Sequence, residues 1–267
     1  MLPKLSSILL TLLALACGDD ALAAGLLPPA ARVQLFASRR SLLYAELTLA
    51  EWAGIAERME TGPTGTNPPP ANRLWREAHR QRQTGDLSSA RATLHAILGL
   101  PSIDTPAVLV AWRALRDLGE QPDPSVAREI LGVVVELADD EERATISIVV
   151  ATYAHEAPQL VASTGFAVLG QGTMPATVEG AAKKLLAAVN PISGRFGFQE
   201  RPRVPPHSTV QFALLTPGGI RVARAPLAEA KRGSNEMHPA LQAALELIKA
   251  MSTEGERVRR SHPQPGP

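Results

Sequence analysis

The sequence predicts an α+β protein: a helical N-terminal region, then an antiparallel sheet in the order ββββ-α-ββ-α with helices packed on one face. Two observations carry this. Apolar residues recur at helical intervals up to about residue 120, and β-branched, period-two runs take over after Gln121-Pro122-Asp123-Pro124. The turn spacing of the first four strands is that of a meander, and helices on one face of such a sheet form a stable two-layer arrangement.

The chain begins with MLPKLSSILLTLLALACGDDALAAG, which has the form of an export signal. Lys4 and the amino terminus supply the positive end. Leu5 to Ala16 form an apolar core too short to span a bilayer. Two processing routes compete. Ala21-Leu22-Ala23 offers a cleavage site before Ala24. Ala14-Leu15-Ala16-Cys17 resembles a bacterial lipoprotein signal, which makes Cys17 a candidate lipidation site. An unprocessed N-terminal helix, or a start assigned too far upstream, is the third reading.

Leu43, Leu47, Trp52, Ile55 and Met59 recur at helical intervals and predict one or two helices. TGPTGTNPPP (61–70) then breaks the chain, because consecutive prolines favour an extended segment. Residues 71–101 predict a helical hairpin. Leu74, Trp75 and Ala78 lie on its first helix and Gly85-Asp86 at the turn. Leu87, Ala90, Leu94, Ile97 and Leu98 lie on the second helix, and Pro101 follows. Ala78, Gly85-Asp86, Ala90 and the closing proline make this segment resemble a tetratricopeptide repeat, which implies a helical pair of the kind that binds protein segments. Plain helix packing is the other reading. Val108, Trp112 and Leu115 predict a further helix.

LGVVVEL (131–137) is a β-branched run. In ATISIVVAT (144–152), Ile146, Ile148 and Val150 alternate as in a half-buried strand. His155-Glu156-Ala157-Pro158 predicts a turn, and QLVAS and FAVLG flank a tight hairpin at Thr164-Gly165. Pro175 opens a helix with Val178, Ala182, Leu185 and Val189 on one face. A loop, GRFGFQERPRVPPH, leads to STVQFALLT, and Pro217-Gly218-Gly219 turns the chain into IRVARA. Leu241, Leu245, Ile248 and Met251 mark a last helix. The expected organisation is a signal peptide over 1–23, a helical region over 26–120 with its break at 61–70, an α+β domain over 125–253, and a polar, disordered tail over 254–267. The meander–helix–hairpin–helix order resembles that of uncharacterised bacterial exported proteins, and that resemblance implies no activity.

Composition narrows the chemistry. A net charge of +1 over 267 residues gives no global field toward nucleic acid or membrane. Aromatics at 4% supply few base-stacking platforms. The single cysteine, Cys17, excludes an internal disulfide and a cysteine-based metal cluster. Gly170-Gln171-Gly172 begins like a dinucleotide turn, but Pro175 stands where the third glycine belongs and no parallel βαβ unit surrounds it. The six histidines form no H-E-x-x-H pattern. His155-Glu156, beside Tyr153, is a candidate acid–base pair or a solvated turn. Arg73, Arg76 and Arg80, with Arg82 close by, read as a phosphate-binding stripe or as a solvated face with Glu77.

Arg195, Phe196, Phe198, Arg201 and Arg203 interleave in the long loop and form the candidate interaction surface, unless the phenylalanines staple that loop to the core. The leading functional expectation is a non-enzymatic exported binding or scaffold protein, periplasmic or lipid-anchored, or else secreted. Its expected partner is another envelope protein. No cofactor, metal or nucleic acid is expected, and membrane contact only through a lipid anchor. The alternatives are a hydrolase with a non-motif site near His155 and Glu156, and a cytoplasmic regulatory or dimerisation module with a misassigned start.

Overall fold

The computed structural model describes residues 29–61, 70–101, 103–139, 146–154, 156–163, 167–169, 174–199 and 202–261. The signal segment with Cys17, the Pro-rich stretch 62–69, His155, Gly170-Gln171-Gly172, Arg201 and His262 lie outside the described residues.

Among the described residues, five helices come first: α1 (Pro29–Leu43), α2 (Leu49–Thr61), α3 (Pro70–Gln83), α4 (Leu87–Leu98) and α5 (Thr105–Asp117). The expected hairpin of 71–101 is α3–α4. Gly85 adopts φ +79° at the turn, a left-handed conformation that glycine takes without steric cost. Asp86 then caps α4 by accepting a hydrogen bond from the Ser89 amide at 3.0 Å. The apolar faces meet in one core. Trp52 of α2 stacks obliquely on Trp75 of α3 with ring centroids 5.5 Å apart, and Ala78, Ala90, Leu94 and Ile97 are fully buried.

Among the described residues the sheet has seven antiparallel strands. They are β1 (Gly132–Asp139), β2 (Ile146–Tyr153), β3 (Glu156–Ala162), β4 (Ala167–Leu169), β5 (Gly197–Gln199), β6 (Thr209–Thr216) and β7 (Gly219–Pro226). Their order is β4-β3-β2-β1-β6-β7-β5. The first four strands form the expected meander. The chain then crosses one face as α6 (Ala176–Val189) and returns to the far edge as β5. The β6–β7 hairpin lies between, with Val135 of β1 opposite Phe212 of β6. A short α7 (Leu227–Ala230) and a long α8 (His238–Ser261) complete the fold.

The class is α+β. The helices α6 and α8 cover one face, as the sequence predicts, where Val178, Leu185 and Val189 meet Val133, Val135, Phe212, Leu241, Leu247 and Met251. The opposite face is covered as well. Val134, Val149, Ala151, Tyr153, Val161, Ala213 and Leu215 belong to one core with the residues of α1 to α5. The sheet is thus a middle layer. This is why β2, expected to be half-buried, has both Val149 and Val150 at 0% exposure. A strand covered on both sides reads as a continuous apolar run.

Two further expectations are corrected. The loop after α6 contains a strand, β5, held to β7 in the register Phe198↔Arg221. Residues 254–261, expected in a disordered tail, continue α8 to Ser261. Glu254 and Arg257 pair at 2.6 Å one turn apart, and such pairs support a polar helix end.

Candidate functional site

Three polar constellations stand out from the apolar layers. The first lies on the sheet face beneath α1. Glu136 of β1 and Gln211 of β6 are register partners, as are Gln211 and Arg224 of β7, so the three form a row across adjacent strands. Glu136 and Gln211 are fully buried. From α1, Arg40 donates through Nε to both carboxylate oxygens of Glu136, at 3.1 and 2.9 Å. Its Nη2 reaches the Pro202 carbonyl at 3.0 Å. Tyr44 donates to Glu136 at 3.2 Å and accepts from the Gln211 amide at 2.9 Å. Arg224 in turn donates to Gln211 Oε1 at 2.5 Å.

Burial works against the Arg40 charge, but its hydrogen bond to Glu136, aided by the charges of Glu136 and Glu46, outweighs that and leaves its pKa above the ordinary value. Burial, and then the Glu136 charge, push the Tyr44 phenol far above its usual range. Buried ion pairs of this kind are poor sources of net stability, but they fix which groups meet. This one fixes α1 on β1. No part of it was singled out in the sequence. The available signal was one Glu within VVVEL.

The second constellation is at the start of α5. Asp104 caps the helix, accepting from the Ala107 amide at 2.8 Å, and the Glu156 carboxylate accepts from the Thr105 amide. Asp104 is buried. Its pKa is raised to about 7, first by burial and then by the Glu156 charge, with the Ala107 amide pulling the other way. Tyr153 donates to the Leu43 carbonyl at 2.8 Å and is pushed well up by burial and by both carboxylates. Glu156 therefore begins β3 rather than sitting at a turn tip, and its carboxylate serves a helix N-terminus, a natural anion position.

The third is an open cleft of about 920 Å³ beside β5, within the size range of ligand clefts. Arg128, Glu129, Leu186, Asn190, Phe198 and Arg221 line it. The candidate surface residues separate here. Phe196 is 3% exposed and anchors the loop in the α6–α8 core. Its carbonyl accepts from Arg221 Nη2 at 3.1 Å. Phe198 is 65% exposed at the cleft. Arg195 pairs with Glu236 at 2.6 Å on the surface. Arg203 is exposed, and its carbonyl accepts from Arg224 at 3.4 Å. Arg201 lies outside the described residues.

The structure thus divides the two phenylalanines between the two readings, one a staple and the other a surface ring. Of the arginine stripe on α3, Arg80 pairs with Glu77 at 2.5 Å in an exposed i,i+3 pair. Among the described residues, no group of three or more His, Cys, Asp or Glu could hold a metal ion. No described helix is long and apolar enough to cross a membrane.

No protein-family model matches the chain, and neither a curated protein nor a solved structure matches it at a significant level. The functional reading therefore rests on the geometry above.

Proposed function

We propose that this chain is an exported binding or scaffold module that engages another envelope protein through the face around Phe198. The observation that carries the reading is Phe198 itself. A large apolar ring stands 65% exposed on an edge strand, beside a cleft of about 920 Å³. The strand β5 ends the sheet and pairs only with β7, so among the described residues its outer edge bears no strand. An exposed edge with an aromatic side chain beside a cleft is suited to adding a strand or loop from a partner, main-chain hydrogen bonds giving affinity and the ring giving selectivity. The covered sheet behind it makes a firm support. Export, through either Cys17 or cleavage before Ala24, would bring this face to the envelope.

The test is a chemical cross-linking capture from envelope extract, with the full chain and its Phe198→Glu variant as baits. One or more partners captured by the native chain and lost with the variant are expected, while circular dichroism stays unchanged. The same set captured by both, or none by either, would refute the reading. Intact mass of the native protein from membrane and soluble fractions tests export. A chain that retains its first residues in the cytosol would overturn that part.

A further inference from the structure

A smaller cavity of about 70 Å³ lies between α5 and the β6–β7 turn, and shares Phe198 and Thr216 with the wall of the large cleft. Arg113 and Arg116, three residues apart on α5, both line it, together with Asp117, Phe198, Gln199 and Thr216. A guanidinium carries five N–H donors. Arg113 gives one to the Glu46 carbonyl at 2.7 Å, and Arg116 gives one to the Pro217 carbonyl. Among the described residues, neither lies within ion-pair distance of a carboxylate. Burial lowers the Arg116 pKa. The neighbouring Asp117 charge offsets part of that, and Arg113 adds to it.

Two half-buried cations share this wall with one carboxylate, that of the exposed Asp117, so positive charge is in excess, and the guanidiniums' hydrogen bonds to Glu46 and Pro217 use only carbonyl oxygens and leave donors over. We propose that this cavity binds one small oxyanion, a carboxylate or a phosphate group, between the guanidiniums of Arg113 and Arg116. Planar guanidinium forks match the oxygen spacing of both groups, and charge-assisted bonds are the stronger kind. The cavity has room for a few waters, which is the size of one such group rather than of a nucleotide. Thr216 and Gln199 add neutral polar groups to the wall. The bond from Arg116 to Pro217 ties the site to the hairpin that carries Gly219.

Inorganic phosphate and succinate are the probes, titrated separately into the full chain at constant ionic strength. The readout is the set of arginine Nε–Hε resonances in a nitrogen–proton spectrum. Saturable shifts of the Arg113 and Arg116 signals are expected, with those of Arg128 and Arg257 unmoved. Arg113→Gln should weaken binding about tenfold, the loss of about one charge-assisted hydrogen bond. Arg113→Lys, which keeps the charge, should weaken it less. Saturation by phosphate alone identifies a phosphate site, and by succinate alone a carboxylate site. No saturable shift with either probe, or equal affinity in the native chain and Arg113→Gln, would overturn the proposal. Because the probes are small anions, their failure leaves capture of a partner at Phe198 to stand or fall separately.

Discussion

Replacing Asp104 by Asn should make the protein more stable near pH 8 and leave it little changed near pH 4. The substitution keeps an oxygen that can accept from the Ala107 amide, and Asn is as good an N-cap as Asp, so the helix start is conserved. What changes is the charge. In the folded chain the Asp104 carboxyl titrates at about 7 instead of 3.8. The charged groups facing it are Glu156 on β3 and, when ionised, Tyr153 on β2. The Ala107 amide of α5 favours the anion but does not prevail. A folded-state pKa raised this far means the native state holds a proton that the unfolded chain gives up. The associated stability is fully present below pH 3.8, declines as pH rises, and is gone above about 7.

The displacement corresponds to about 4 kcal/mol at most. Relaxation around Glu156 reduces the effect, so a gain of about 2–4 kcal/mol for Asp104→Asn at pH 8 is the expectation. Urea unfolding of the full chain and the variant, at steps from pH 4 to pH 8.5, measures it. Subtracting the two curves removes the contributions of other carboxylates. A difference that does not vary with pH would refute the reasoning. So would a variant less stable at pH 8, since the charged cap would then outweigh the burial of its charge.

Three further outcomes follow from the packing. Arg40→Met should cost about 3–5 kcal/mol in denaturant unfolding, because it strands the buried Glu136 carboxylate, and adding Glu136→Leu should restore much of that. Gly219→Ala should lower stability by about 1–3 kcal/mol in thermal unfolding. Gly219 has φ +125°, and an added Cβ would lie 2.3 Å from the Phe198 ring. Leu94→Ala, at a fully buried position among α2 to α5, should cost about 2–5 kcal/mol in the same assay.

What was legible in the sequence was local. The helix α6 follows from Val178, Ala182, Leu185 and Val189, which it buries on one face. The β6–β7 hairpin follows from Pro217-Gly218-Gly219, where Gly219 takes the positive φ the turn requires. The missed features depend on distant partners. The strand β5 is only three residues long, and nothing in Gly197-Phe198-Gln199 itself sets its pairing with β7. Phe196 and Phe198 carry the same side chain two positions apart. The structure buries one and exposes the other, because one points into the α6–α8 core and the other lies at the sheet edge. Glu136 finds its cation 96 positions away in the chain, and no spacing rule connects them. Asp104 is not singled out in the sequence, because the Glu156 charge that helps raise its pKa comes from a distant strand, β3.

The Arg40 guanidinium joins more than α1 and β1. Its bond to the Pro202 carbonyl reaches the segment between β5 and β6, and Arg224 reaches the same segment through the Arg203 carbonyl at 3.4 Å and the end of β5 through Gln199 at 3.3 Å. Gln211 links Arg224 back to Tyr44, and Tyr44 to Glu136. One chain of hydrogen bonds thus runs from the N-terminal helices, across β1, β6 and β7, to the end of the edge strand that displays Phe198. The helical region is therefore more than a neighbour of the sheet. It supplies Arg40 and Tyr44, without which the polar row would lie unsatisfied in an apolar layer, and the loop behind Phe198 would lose a tether. A buried network of this kind contributes little net stability, but it leaves one arrangement in which every member is satisfied. The binding face proposed at the sheet edge needs that property, because an edge strand of three residues has few hydrogen bonds of its own to hold its position.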